Sequence, residues 1–279
     1  MGTLYLVATP IGNLDDITGR ALKILKQVNL IAAEDTRQTR KLLAHYQIDT
    51  PLISYHEHNK LTRLETVLET LSQADVALVS DAGTPALNDP GYELVRAAVE
   101  AGYCVSPIPG PSAPLAALVA SGLPTDAFVY LGYLPRKRGD RLRLLNQAAE
   151  FPHTLIFLET PHRLLAALQD LQSELGDRPM AVARELTKLH EEIFRGRISE
   201  ARDHFADQTP RGEFTLVVAG KIGYTQGWSE KRLREALQDR LGGEEPPSQI
   251  AAEVSKECGW PRREVYRLLM EMEADVRKN

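Results

Sequence analysis

Cysteine is scarce in this chain. The two in 279 residues, Cys104 and Cys258, are too few and too far apart for a disulfide framework or a zinc-ligand spacing. That scarcity points to a reducing, cytosolic setting. No apolar run approaches the ~20 residues of a membrane span, so no membrane association is expected. The opening residues 1–8 lack a basic stretch and read as the start of a strand rather than a signal peptide. Positive charge is not in excess either. The formal net charge is -5, so any nucleic-acid contact has to come from local patches. Neither the dinucleotide-binding G-x-G-x-x-G nor the phosphate-binding G-x-x-x-x-G-K-[ST] occurs, and there is no G-x-S-x-G nucleophile elbow. His56 and His58 are two apart with no third ligand nearby, so no metal is expected.

What is present is ordinary globular material, 43% hydrophobic and 25% charged, in a length that suits about two domains. Short apolar runs, several of them rich in β-branched residues, alternate with amphipathic stretches. Strands are expected at residues 4–8, 30–33, 51–54, 76–79 and 104–108. Helices are expected from about Asp15 or Asp16, after Thr36 as a cap, after a Thr62/Glu65 capping box, and from an Asp89-Pro90 start. Strict alternation of this kind predicts a mainly parallel sheet covered on both faces.

The proline-dense run 107–114 reads as a hinge. The expected division is therefore 1–114, 115–224 and 225–279. In the second unit the helix 115–121 is apolar and expected to be buried. Strands at 128–131, 154–158, 180–183, 190–197 and 214–219 outnumber helices, so its sheet is expected to be mixed. The third unit is helical, and Gly259-Trp260-Pro261 between two helices resembles a helix-turn-helix. Acidic residues slightly outnumber basic ones there, which weakens a DNA-binding regulator as a reading.

Chemistry is expected where polar loops follow strands: residues 9–14, 34–37, 81–85, 109–113, 159–163 and 184–188. Small and proline-rich loops let main chain approach a ligand closely, which suits a folded, nucleoside-like cofactor in a cleft between domains. These segments, with Arg211-Gly212-Glu213-Phe214, resemble the tetrapyrrole-methylase superfamily in combination and order. Within it they are most similar to the branch that 2′-O-methylates a cytidine in the decoding region of 16S ribosomal RNA. A precorrin-type methyltransferase is the rival within the same fold.

The resemblance implies an α/β fold of the class III methyltransferase type. Two α/β domains would hold S-adenosylmethionine in the cleft between them, with a small C-terminal all-helical appendage. It also implies a homodimer acting in the cytoplasm on 16S ribosomal RNA or the small ribosomal subunit. Carried onto this chain, the cofactor-binding residues would be Pro10, Gly12, Asp81, Ala82, Gly83, Thr84, Pro85, Pro111, Ser112, Ala113, Leu158, Glu159, Arg184, Glu185, Leu186, Glu213 and Phe214. A base to take the 2′-proton is desirable. Asp35, His56, Glu159, His162 and Glu185 are candidates, and Arg184 or Arg37 could stabilise a developing alkoxide. For RNA phosphates the candidates are Arg37, Arg40, Arg136, Lys137, Arg138 and Arg141.

Overall fold

The computed structural model describes residues 1–57, 59–206, 210–221, 230–241 and 245–276. The first half alternates strand and helix. It runs β1 (Thr3–Val7), α1 (Gly19–Gln27), β2 (Leu30–Ala33), α2 (Thr36–His45), β3 (Leu52–Ser54), α3 (Lys60–Gln73), β4 (Val76–Val79), α4 (Tyr92–Glu100) and β5 (Cys104–Ile108). The strands form one parallel sheet in the order β3-β2-β4-β1-β5. β2 and β4 are buried at every residue, as two-sided cover by helices requires. Pro107 is tolerated because β5 is an edge strand.

The connection after β1 runs to β2, and the connection after β4 runs to β5 on the opposite side. The adjacent strands β4 and β1 therefore form a topological switch point, and a crevice opens beyond their carboxyl ends. An isolated antiparallel bridge, Thr9–Gly83, joins the two loops there. Each residue donates its N–H to the other's carbonyl at 2.9 Å.

The second half comprises α5 (Ala113–Ser121), β6 (Phe128–Tyr133), α6 (Arg138–Ala148), β7 (Thr154–Glu159), α7 (Leu164–Leu175), β8 (Pro179–Arg184), β9 (Glu192–Arg197), α8 (Ile198–Ala206) and β10 (Phe214–Val218). Its sheet, β6-β7-β10-β8-β9, is mixed: β6 and β7 are parallel and the other pairs antiparallel. One face packs on α6, α7 and α8 around Phe157, Phe205 and Phe214. The other is covered by α5 through Ala117 and Leu118. α5 buries only that side, since Leu115 is 48% and Val119 74% exposed; the expectation of a buried helix holds for half its circumference.

Three helices follow: α9 (Glu230–Gln238), α10 (Pro247–Cys258) and α11 (Arg262–Val276). They share a small core of Leu233, Leu237, Ile250, Val254, Leu269 and their neighbours. Gly259 closes α10 in the left-handed conformation. The expected division at 224/225 lies outside the described residues, as do His58 and 242–244.

Several helix starts differ from the sequence expectation. Asn13 caps a short 3-10 turn at Leu14–Asp16, and α1 begins only after Thr18, whose hydroxyl accepts from Ala21 N–H. Asp35, not Thr36, caps α2, its carboxylate accepting from Arg37 N–H at 2.8 Å. α3 starts at Lys60, so no Thr62/Glu65 box forms; Asn59 instead ties His56 N–H and Ser54. The largest difference is at α4. Its cap is Gly91 at φ 143°, where a Cβ would press on Leu78 and Ala86. The chain therefore passes Asp89-Pro90 before the helix begins, and the Asp89 side chain is released toward the crevice. The 198–206 segment, unassigned from sequence, is a helix that packs Ile198, Ala201 and Phe205 into the second core.

Candidate active site

A cavity of about 880 Å³, open mouth included, lies between the two sheets. The first half contributes Ile11, Glu34, Asp81, Ala82, Gly83, Thr84, Leu87, Asn88 and Asp89. The second half contributes Ser112, Ala113, Pro114, Tyr130, Tyr133, Leu158, Glu159, Glu213, Phe214 and Thr215. Ten of the residues expected to bind cofactor are on this lining: Asp81, Ala82, Gly83, Thr84, Ser112, Ala113, Leu158, Glu159, Glu213 and Phe214. Pro111 sits just behind, its carbonyl accepting from the Thr84 hydroxyl at 3.4 Å, and Pro85 does not line the cavity.

Pro10 and Gly12 line an adjoining hollow that shares Ile11, Asp81, Ala82 and Glu213 with the first and adds Gln38, Thr39, Lys41 and Lys188. Gly12 needs its hydrogen side chain there. A Cβ would collide with the Lys188 stem and the Leu186 carbonyl, so a first-half loop and a second-half loop close against each other.

Arg184, Glu185 and Leu186 form the backing of this region and not its lining. Arg184 donates to the Arg211 carbonyl and to Glu192. Glu185, at φ 50°, is held by Lys188 at 2.8 Å and by Glu213 N–H. Lys188 pulls the Glu185 carboxyl below its usual range. Asp35 is also engaged: the Arg37 guanidinium holds its pKa down to about 2. His56 and His162 are outside the lining, and His162 is exposed.

Glu159 ends β7 and is 1% exposed. Its Oε1 accepts from Thr160 N–H at 2.7 Å and pairs with Arg163 at 2.5 Å. Its Oε2 is buried with no partner. Leaving this oxygen unmet costs about 1–3 kcal/mol, a cost that a donor brought by a ligand reaching Glu159 would offset.

Sequence reading placed Glu34 in an expected ligand loop without assigning it to the cofactor, and missed Leu87, Asn88, Asp89, Pro114, Tyr130, Tyr133 and Thr215 as lining residues. Asp89 was taken up by its resemblance to a helix start. Tyr130 and Tyr133 are three apart, which in a regular strand puts them on opposite faces. A bulge at Leu131–Gly132 restores both to the cleft. Gly132 is at φ 66°, and a Cβ there would strike the Asn88 side chain, so the bulge also docks the Asp81–Pro90 loop onto the second sheet.

The lining is acidic. Burial raises the pKa of Glu34 and Asp81, each opposed by a backbone N–H. Asp89 is pushed up to about 6, chiefly by burial and then by the Glu34 charge. Burial likewise raises Tyr130 to about 12, so both cleft tyrosines stay neutral donors. Carboxylates for a cationic centre, Ile11, Leu87, Leu158 and Phe214 for a flat apolar ring, and an unmet acceptor at Glu159 fit S-adenosylmethionine.

Of the RNA candidates, Arg37, Arg40, Arg136, Lys137 and Arg138 are exposed. Arg141 is not. It is 5% exposed and its guanidinium grips buried Asp170 at 2.6 Å and the Pro135 carbonyl at 3.1 Å. Its place on the buried side of α6 explains this, and Arg138 reaches the same carboxylate from outside.

A crevice at the carboxyl ends of a parallel sheet, closed by a second mixed sheet and lined with acids, suits a small, positively charged ligand. The chain matches the family of Tetrapyrrole (Corrin/Porphyrin) Methylases over residues 3–202, and it belongs to that family. It is 51% identical to the Ribosomal RNA small subunit methyltransferase I of Synechocystis over 99% of this chain and 100% of the relative. It is 43% identical to the protein of the same name from Bacillus subtilis, over 95% and 93%. Its fold is shared with a cobalt precorrin-4 methyltransferase at TM-score 0.59 and 18% identity, covering 78% of this chain and 94% of that one. Among the described residues no helix is long and apolar enough to cross a membrane.

Proposed function

We propose that this protein methylates the 2′-oxygen of a cytidine in the decoding region of 16S ribosomal RNA, using S-adenosylmethionine. The observation that carries this is the end-to-end correspondence, helical tail included, with relatives named for small-subunit ribosomal RNA. The solved precorrin and uroporphyrin enzymes share 18–20% identity and support the fold only, so the precorrin reading has no comparable support. The tail's near-neutral charge gives none to a DNA-binding regulator.

When bound, S-adenosylmethionine supplies a methyl group on a positively charged sulfur. The protein's task is to align the ribose oxygen, the methyl carbon and the sulfur. Asp81 to Thr84 and Ser112–Ala113 present loop main chain from the two walls. Glu159 offers a fixed acceptor, its other oxygen locked by Arg163. Arg184 and Glu185 brace the Glu213 loop, so they act on the site through it.

For the RNA, Arg136, Lys137 and Arg138 on one side and Arg37 and Arg40 on the other offer exposed cations. Lys41 and Lys188 line the adjoining hollow. The exposed Leu115 and Val119 on α5 support the homodimer, and a substrate on ribosomal particles supports a cytoplasmic place.

Incubation with labelled S-adenosylmethionine and small subunits lacking the modification tests the reading. Label on a cytidine ribose is expected. Label on a precorrin and none on subunits would overturn it. Asp81→Ala and Gly83→Val are each expected to weaken cofactor binding at least tenfold by calorimetry. Wild-type affinity in both would remove the Asp81–Pro85 loop from the site.

A further inference from the structure

Transfer to a ribose hydroxyl forms an oxygen–carbon bond and breaks the carbon–sulfur bond, whose electron pair leaves on sulfur. The hydroxyl proton has to go to a base on the protein or to solvent. The carboxylates of the cleft region differ in how freely they could take it. Asp35 is paired with Arg37, Glu159 with Arg163, and Glu185 and Glu213 with Lys188. Glu34 accepts from Asp81 N–H, and Asp81 from Asp35 N–H, so these two stitch neighbouring loops together. Asp89 lines the cavity with no ion pair among the described residues and with the Ser80 hydroxyl beside it.

Resting on the function proposed above, we infer that Asp89 is the catalytic base that receives the ribose 2′-proton. Its backbone is anchored on both sides. Asn88 packs on the Gly132 bulge, and Gly91 sits tightly on Leu78. Glu159 lines the same cavity, and its buried Oε2 has no partner.

The titratable groups around Asp89 are Glu34 and Asp81 from the first sheet's loops and Tyr130 and Tyr133 from β6. Glu159 and Glu213 line the same cavity, opposite it. Burial first, and then the Glu34 charge, make the carboxylate a stronger base than an ordinary aspartate, and it is still ionised at neutral pH. That is the compromise a general base needs.

The test uses the complete protein, unmodified small subunits, and the variants Asp89→Asn and Asp89→Glu. Single-turnover methylation rates are measured from pH 5 to 9, and S-adenosylhomocysteine affinity by calorimetry. Wild type is expected to lose rate below about pH 6. Asp89→Asn is expected to lose 10²- to 10⁴-fold in rate, with the acid limb gone and affinity within about threefold of wild type. Asp89→Glu should restore part of the rate. A wild-type profile with no acid limb near pH 6 would overturn the inference without reference to any variant. So would an Asp89→Asn rate within about threefold of wild type, or a loss matched by equally weakened affinity. If wild type labels no ribose, the function proposed above fails, and this inference with it.

Discussion

Asp89 carries a stability cost as well as a proposed role. Its folded pKa of about 6 stands above the usual 3.8 of an aspartate. Between those values the folded chain holds a proton that the unfolded chain releases, so stability falls as pH rises through that window. Above pH 7 the cost is fully present, of the order of 1–3 kcal/mol once partial solvation is allowed for. Asp89→Asn is therefore expected to raise the cofactor-free melting temperature at pH 8 and to leave it unchanged near pH 3; thermal melts across that range check the sign. Buried ion pairs behave differently. Asp170→Ala would strand the Arg141 guanidinium and is expected to cost about 3–5 kcal/mol in urea unfolding. At this scale the sequence was a partial guide. Glu159 and Asp81 were legible because one ends a short apolar run and the other follows one. Arg141 was not, because its neighbours in sequence are exposed and the partner that turns it inward lies 29 residues away.

Among the elements, the strands were the most legible, since short apolar runs between polar loops have few alternatives. β2 and β4 occupy the spans expected of them. Helix starts were less so, because several polar residues in a row compete for each cap and tertiary contacts choose among them. At α4 the choice falls to Gly91, through packing on Leu78 that no local pattern encodes. The β6 bulge is similarly silent in sequence, yet it brings two tyrosines into the cleft. Gly132→Ala would force a Cβ into the Asn88 side chain at a left-handed backbone position. It is expected to destabilise by about 1–3 kcal/mol and to weaken S-adenosylhomocysteine binding. Adding Asn88→Ala should recover part of the binding by removing the clash; calorimetry on the single and double variants measures this coupling.

For the molecule as a whole, two sheets of five strands and a helical tail follow from alternation that the sequence shows plainly. Strand order does not, because β4 inserts between β2 and β1 through long-range pairing. Yet that insertion creates the switch point where the cavity lies. Charge is divided unevenly over the result, with acids inside the cleft and exposed cations on α2 and beside α6. Arg136→Glu with Lys137→Glu is expected to weaken binding to small subunits at least tenfold and to flatten its salt dependence, while leaving cofactor affinity and melting temperature unchanged. Filter binding at several salt concentrations reads this directly. The acidic cavity has one more consequence. Methyl transfer turns a positively charged donor into a neutral thioether. Carboxylates that favour the cation lose that attraction when the reaction is done. The same wall that draws in a fresh donor therefore loosens its hold on the spent one, and the exchange that readies the enzyme for its next turnover runs downhill in the site's own field.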